Sequence, residues 1–178
     1  VRTHVNLSAA SGWAPLEALV ALREEAARAG LADVQVVALP SMPLTGPDAA
    51  ANRAVVEEAV GRGADLLGGA VHIDPDPEAA TTFVLAVADR EGVGVDLHTD
   101  ETLDPDAVGL VHLARQVGEL GWAPGRATAS HCVSLGMQEP GRQAETAALV
   151  AAAGVSVVVL PQTNLYLQGR ERSSAVPR

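Results

Sequence analysis

The sequence predicts an α/β fold with parallel strands, either part of a (β/α)8 barrel or an open doubly wound sheet. Short apolar segments alternate with longer amphipathic ones along the chain of 178 residues. One strand and its following helix recur at intervals of roughly 30 residues, the length that a βαβ crossover requires. Continuous apolar runs also occur, and these are typical of strands that are covered on both faces.

Six strands are predicted from these patterns. The first alternates, with Val1, Thr3 and Val5 on the face opposite to His4. The last is a continuous apolar run, which indicates a buried strand. The predicted strands span residues 1–6, 34–39, 65–71, 93–97, 126–130 and 155–160.

Five helices are predicted between these strands. Gly30 and Gly154 follow the first and last helical patterns and are expected to end them. Asp104 stands where an N-cap of the fourth helix is expected. The predicted helices span residues 14–29, 48–61, 78–91, 105–120 and 139–153, and a loop is expected over residues 161–170.

Composition excludes several classes of function. The formal net charge of −10 disfavours nucleic acid and anionic membranes as partners. The chain contains no lysine, so Schiff-base catalysis and a Walker-type phosphate site are excluded for these residues. A single cysteine, Cys132, rules out an internal disulfide and favours a cytoplasmic location. No apolar run approaches the ~20 residues that span a bilayer.

Three histidines, His72, His98 and His131, directly follow predicted strands. His98 and His131 would therefore lie at the carboxyl edge of the sheet, where parallel α/β folds place their chemistry. Asp100 and Glu101 come just after His98, and imidazole with carboxylate suits Zn²⁺ or Fe²⁺. Two alternatives remain open at this point: the histidines are structural, and the two acids are solvated loop residues or a helix cap.

Five segments of the chain carry a recognisable pattern. They are Val-Arg-Thr-His-Val from residue 1, Val-Val-Ala-Leu-Pro from 36, Asp-Leu-His-Thr-Asp-Glu from 96, Thr-Ala-Ser-His-Cys from 128 and Asn-Leu-Tyr-Leu-Gln-Gly-Arg from 164. In this order, they resemble cytosine deaminase-like members of the metal-dependent amidohydrolase superfamily. The resemblance covers essentially the whole chain and implies barrel strands two to seven of a (β/α)8 fold. Residues 1–178 are therefore expected to form one partial barrel domain without the first and last barrel strands or the small β-domain.

The resemblance also implies roles for individual residues. His98 matches a metal-binding histidine, and Glu101 matches the acid/base glutamate that passes a proton to the substrate ring. His131 matches a histidine that positions the attacking hydroxide in single-metal members and is a ligand in two-metal members. Substrate-binding positions are implied at Ser41, His72 and Gln168, and supporting positions at His4 and Asp100.

The departures from the family pattern refine the expected function. The absence of a strand-four lysine favours one divalent metal ion, Zn or Fe, over two. Ser41 replaces a cytosine-binding glutamine, which disfavours cytosine itself and leaves a related heterocycle. The family's His-x-His ligand pair and its strand-eight aspartate do not occur in these residues.

The expected activity is hydrolysis or deamination at a C–N bond of a cyclic amidine or amide, by a homo-oligomer acting on a small molecule. The alternative is a non-catalytic α/β module, derived from the barrel, that serves binding or assembly. An upstream His-x-His and a downstream aspartate at a strand end would favour the enzyme.

Overall fold

The computed structural model describes residues 1–8 and 10–170. The chain divides into two compact units, residues 1–96 and residues 97–178, and the boundary falls within a strand. Each unit consists of strands that alternate with helices, which confirms the predicted α/β class.

The first unit contains three complete strands and the first half of a fourth, side by side in chain order. The pairs β1–β2 and β2–β3 are parallel, with Arg2 opposite Gln35 and Val37 opposite Leu66. A short 3-10 turn at Val71–Ile73 follows the third strand. The elements are β1 Arg2–Leu7, α1 Ala14–Arg28, β2 Gln35–Pro40, α2 Ala50–Ala59, β3 Leu66–Gly69, α3 Pro77–Glu91 and the beginning of β4 Gly94–Thr99.

The core of the first unit explains why β3 is rich in glycine. Val36, Val37 and Ala38 on β2 are almost fully buried. A Cβ atom added to Gly68 would lie 2.9 Å from Cγ1 of Val37 and 3.1 Å from the carbonyl oxygen of Ala38. Only glycine allows the two strands to approach this closely at residue 68.

The second unit contains the end of β4 and two further strands, in chain order. The pair β5–β6 is parallel, with Thr128 opposite Ser156. A single π-type turn, Leu165–Gly169, closes the described part. The remaining elements are α4 Gly109–Leu120, β5 Ala127–His131, α5 Val133–Met137, α6 Pro140–Ala152, β6 Ser156–Val158 and α7 Pro161–Asn164.

The helices are amphipathic and bury one face. In α4 the buried residues Leu110, Leu113, Ala114 and Val117 recur at helical spacing. None of the helices in the described ranges has both the length and the apolar character that crossing a bilayer requires.

Several predicted boundaries need correction. Strand β4 continues to Thr99 and β5 to His131, so His98 and His131 lie within strands rather than after them. Helix α4 begins at Gly109 instead of residue 105, and Asp104 is not its N-cap. The carboxylate of Asp100 takes over that function, because it accepts hydrogen bonds from the first backbone N–H groups of the helix.

The last predicted strand and loop also differ from the structure. Strand β6 is only three residues long, and Val157 and Val158 are 40% and 45% exposed, so the prediction of a buried strand is wrong for the described chain. Among the described strands β6 pairs only with β5, which leaves its other edge uncovered. The predicted loop at residues 161–170 is instead helical over most of its length. The short helix α5 has no counterpart among the predictions.

Candidate metal and catalytic site

Three predicted site residues converge in the second unit. His98, Glu101 and His131 each offer one possible ligand atom, and these atoms lie within 4.8 Å of one another. The two imidazole rings meet edge to face, with centroids 4.9 Å apart and an interplanar angle of 66°. The cluster arises because His98 lies near the end of β4, His131 ends β5, and Glu101 follows β4 by two residues.

Glu101 and His131 contact each other directly. Oε1 of Glu101 lies 3.3 Å from Nδ1 of His131, and both side chains are largely buried. An ionised carboxylate can only accept a hydrogen bond. A His131 ring with its hydrogen on Nδ1 can donate to this carboxylate and keeps its lone pair on Nε2.

Asn164 joins these two residues and was not among the predicted site residues. Its side chain is fully buried, and its Oδ1 and Nδ2 lie 3.3 and 3.2 Å from Nδ1 of His131. Its Nδ2 donates to Oε1 of Glu101 at 3.4 Å. The amide thus meets both members of the pair. The segment that begins at residue 164 belongs to the family resemblance, so a signal was present, but nothing in the sequence indicated that the asparagine turns inward.

Gln168 supports the same arrangement. Its Nε2 donates to the backbone carbonyl of Glu101 at 2.9 Å, and its Oε1 accepts from Nδ2 of Asn164 at 3.3 Å. Both polar atoms of this side chain therefore have partners within the protein. In this structure Gln168 holds the backbone of Glu101, and its predicted contact with substrate remains a prediction.

Asp100 fixes the turn that carries Glu101. Its carboxylate accepts hydrogen bonds from the backbone N–H groups of Gly109 at 3.0 Å and Leu110 at 2.8 Å. Its backbone carbonyl accepts from the N–H of Ser134 at 3.2 Å. A carboxylate at a helix N-terminus is favourable because the orphan N–H groups and the helix dipole both attract negative charge. Asp100 therefore anchors the turn after β4 to the start of α4.

Backbone strain is concentrated beside the cluster. Asp100, His131 and Cys132 have positive φ angles of 49°, 74° and 49°. Residues other than glycine rarely adopt a backbone conformation with positive φ. Those that do are found preferentially at functional sites, where the surrounding structure holds them in place. Burial, with a smaller contribution from the charge of Asp100, raises the pKa of the Cys132 thiol to about 12. Cys132 is therefore a protonated thiol at neutral pH and a poor nucleophile.

His4 lies in the first unit and faces a carboxylate. Its Nε2 is 3.5 Å from Oδ1 of Asp96, while Nη1 of Arg2 is 2.7 Å from Oδ2 of the same residue. Asp96 is buried, so this carboxylate is balanced by an arginine and supported by a histidine on β1. A supporting role for His4 remains a prediction.

Ser41 and His72 also lie in the first unit, on the segments that follow β2 and β3. Both the backbone N–H and the hydroxyl of Ser41 donate to the carbonyl of Leu7, at 2.8 and 3.2 Å. His72 lies in the 3-10 turn and is half-buried. The contacts of Ser41 and His72 with substrate remain predictions.

The donor chemistry of the cluster suits a divalent transition metal. Two imidazoles and a carboxylate are ligands that Zn²⁺ and Fe²⁺ accept. Their atoms are close enough to one another to reach a single ion. His98, Glu101 and His131 therefore fit the divalent metal ion that the sequence predicts, and they would belong to the same metal site.

Comparisons with known proteins find similar sequences and structures. No protein-family model matches the sequence. Over 172 residues the chain is 38% identical to a pterin deaminase from Rhizobium rhizogenes. The match includes 96% of this chain but 38% of that relative, so the chain spans well under half of the relative's length.

Solved structures show the same partial correspondence. A 5-methylcytosine deaminase from Klebsiella pneumoniae superposes with a TM-score of 0.84 with phosphonocytosine bound and 0.86 with 5-fluorocytosine bound, at 32% identity. An N-isopropylammelide isopropylaminohydrolase from Burkholderia multivorans gives 0.77 at 29% identity. The matches cover 94–100% of this chain and 43–44% of those chains. They confirm the predicted fold class, since the chain corresponds to part of such a barrel.

Proposed function

We propose that the protein is a metal-dependent deaminase or hydrolase of the amidohydrolase superfamily, since the proteins that match nearly the whole of this chain are deaminases and a related hydrolase. It would cleave a C–N bond of a cyclic amidine or amide with an activated water. The observation that carries this proposal is the clustering of His98, Glu101 and His131.

His98 is the proposed metal ligand among these residues. When bound, a single zinc or iron ion supplies the Lewis acidity that makes water a nucleophile near neutral pH. His131 would present its Nε2 lone pair in the tautomer whose Nδ1–H donates to Glu101 or to Oδ1 of Asn164. In this role His131 orients the water and balances charge at the reacting carbon.

Glu101 is the proposed proton carrier. A carboxylate can take a proton from water on one oxygen and deliver it to a ring nitrogen or to the leaving amine. Its side chain is 16% exposed, so it is shielded but reachable from outside. Asn164 and Gln168 hold this group through its side chain and its backbone, which keeps the proton-carrying oxygen in one place.

The proposed substrate is a small nitrogen heterocycle that carries an amino or substituted-amino group. Pterin, 5-methylcytosine and N-isopropylammelide appear in the names of the similar proteins, and all three are such rings. Ser41, His72 and Gln168 are the proposed substrate-binding positions. A serine at residue 41 offers one hydroxyl where a glutamine would offer a two-point amide contact, which argues against cytosine itself.

The proposal extends to location and assembly. We propose a cytoplasmic homo-oligomer that acts on a free small molecule and has neither nucleic acid nor membrane as partner. The acidic charge and the single buried cysteine support this.

The test compares variants of the protein expressed from its complete reading frame. His98→Ala is expected to lose bound metal and activity together, measured by metal analysis and by ammonia release from a panel of amino-heterocycles. Glu101→Gln is expected to keep its metal and lose about 10²–10⁴-fold in kcat. The matched controls are His112→Ala and Glu119→Gln on α4, outside the cluster. Full activity in both His98→Ala and Glu101→Gln would refute the assignment.

A further inference from the structure

Asp74 in the first unit has a buried carboxylate that joins two segments of the chain. It follows the 3-10 turn Val71–Ile73 and is 6% exposed. A buried carboxylate is costly unless hydrogen-bond donors surround it. The identity of its donors therefore indicates what this residue does.

The donors come from both the loop after β2 and the loop after β3. The backbone N–H of Leu44 donates to Oδ2 at 2.6 Å, and the hydroxyl of Thr45 donates to Oδ1. The backbone N–H of Asp76 also donates to Oδ1, at 3.1 Å. Asp74 thus ties residues 44 and 45 to the start of α3.

The loop after β2 is held from its other side as well. Nδ2 of Asn52, on α2, donates to the carbonyl of Pro43 at 3.0 Å. Leu44 is fully buried between these two anchors. Residues 43–45 are therefore held by two side chains, of which Asp74 contributes the charged one, while Ser41 at the start of the segment is held by the carbonyl of Leu7.

Both tied segments carry a proposed substrate-binding residue. Ser41 is three residues before Leu44, and His72 is two residues before Asp74. Ser41 is exposed and His72 is half-buried, so both side chains are accessible from outside the unit. A contact that locks the two segments also locks these two side chains relative to each other.

We propose that Asp74 is a positioning residue that holds residues 41–45 and 71–74 as one unit, and so presents Ser41 and His72 together to a heterocyclic substrate. The substrate part of this inference rests on the proposed function. The locking of the two segments does not depend on it.

The chemistry of the site requires a carboxylate rather than an amide. Oδ2 receives one backbone N–H and Oδ1 receives another. An asparagine would have to turn its NH₂ group toward one of these N–H donors, since only one of its two terminal atoms accepts. In Asp74→Asn the side-chain NH₂ group would face the backbone N–H of either Leu44 or Asp76, and that hydrogen bond would be lost. The volume of the side chain would change little.

The test uses the protein expressed from its complete reading frame, with hydrogen exchange and steady-state kinetics. In Asp74→Asn we expect amide exchange in residues 41–45 and 71–74 to become about tenfold faster, because local opening is easier. We expect KM for the heterocycle to rise about tenfold while kcat changes less than about twofold, since only binding groups are displaced. Thr45→Val removes one donor and should give smaller changes of the same kind.

Asp76→Ala is the matched control. Asp76 caps α3 by accepting from the N–H of Ala79 at 3.0 Å, so its loss should lower the unfolding temperature without raising KM. Unchanged exchange in residues 41–45 of both Asp74→Asn and Thr45→Val overturns the locking, whatever the activity. Faster exchange with an unchanged KM in an active enzyme overturns the substrate part. A wild-type protein that is inactive on every ring overturns the proposed function, while the exchange data still decide the locking.

Discussion

Asn164 shows how one buried amide can organise a pair of reactive side chains. Its Oδ1 faces Nδ1 of His131 and its Nδ2 faces Oε1 of Glu101. These polar partners compensate the burial of the amide, and the amide in turn restricts both groups to one orientation. Its effect on the proposed reaction would therefore be on geometry, not on proton transfer itself.

Replacing Asn164 by alanine should lower kcat about 10- to 100-fold with little change in KM. The reason is that Glu101 and His131 lose a shared partner, whereas Gln168 loses only the bond from Nδ2 of Asn164 and keeps its bond to the carbonyl of Glu101. Steady-state kinetics with the best heterocycle measures this. Gln162→Ala, at an exposed position of the same short helix, is the control and should behave like the wild type. A raised KM with a normal kcat would contradict the positioning role.

The Cys132 thiol should be inert in the folded protein. Burial raises its pKa to about 12, from an ordinary value of 9.0, so the thiolate is scarce at pH 8. Iodoacetamide should modify the protein in urea but not under native conditions, as measured by mass spectrometry. Rapid native alkylation would show that the site is open.

The same shift has a consequence for stability. Above pH 9 the unfolded chain loses the thiol proton while the folded chain keeps it. The folded state then binds more protons, so this residue makes the free energy of unfolding fall as pH rises from about 9 toward 12. Urea titrations of the wild type and Cys132→Ala should diverge in that range, with the alanine variant less sensitive to pH.

At the scale of residues, the sequence predicted which side chains cluster better than it predicted their hydrogen-bond partners. His98 and Glu101 follow a strand pattern closely enough to be placed at one sheet edge, and His131 likewise. Asn164 lies 33 residues from His131 and 63 from Glu101 in the chain. Local periodicity does not indicate the orientation of a side chain so distant in the chain. The contacts of Asn164 with His131 and Glu101 could therefore be identified only in the folded structure.

At the scale of elements, the turn between β4 and α4 is a packed unit that fixes Glu101. Asp100 receives the first N–H groups of α4, and Gly109 leaves room for this approach. A Cβ atom at Gly109 would lie 2.5 Å from Oδ1 of Asp100. The start of the helix and the carboxylate cannot both stay in place if the side chain is enlarged.

Gly109→Ala should therefore destabilise the protein by about 1–3 kcal/mol, because overpacking displaces a buried hydrogen-bonded carboxylate. Gly118→Ala on the same helix is the matched control, since its added Cβ would have nothing within 4 Å apart from its chain neighbours and the backbone of its own helix. That control should stabilise the protein by about 0.5–1 kcal/mol through helix propensity. Urea unfolding measures both changes. Equal effects of the two substitutions would contradict the close approach at Gly109.

The same turn explains why the predicted helix boundary was wrong. Asp104 has the residue type and local position of an N-cap, and local pattern was the basis for choosing it. The observed cap comes from Asp100, nine residues before Gly109, through a looped segment. Strands and helices with clear periodicity were predicted correctly, whereas ends set by tertiary contacts were not.

At the scale of the whole molecule, the similarity to deaminases extends over nearly the entire chain. Fold similarity alone does not establish activity, because one fold hosts many chemistries. The cluster of two imidazoles and a carboxylate adds the site-level observation that the inference requires. The proposed function therefore requires that the whole protein bind a metal ion and need that ion for activity.

Removing the metal should abolish activity and lower thermal stability together. A ligand that binds only the folded state stabilises it by about 2.7 kcal/mol when its free concentration is 100 times Kd. Protein from the complete reading frame, treated with a chelator, should unfold at a lower temperature, and added zinc or iron should restore both stability and ammonia release. The ion that restores activity at equimolar amounts identifies the metal. His98→Ala is the control, because its unfolding temperature should respond far less to either ion. Full activity after complete metal removal would contradict the proposal, since Glu101 and His131 alone offer no strong electrophile to activate water.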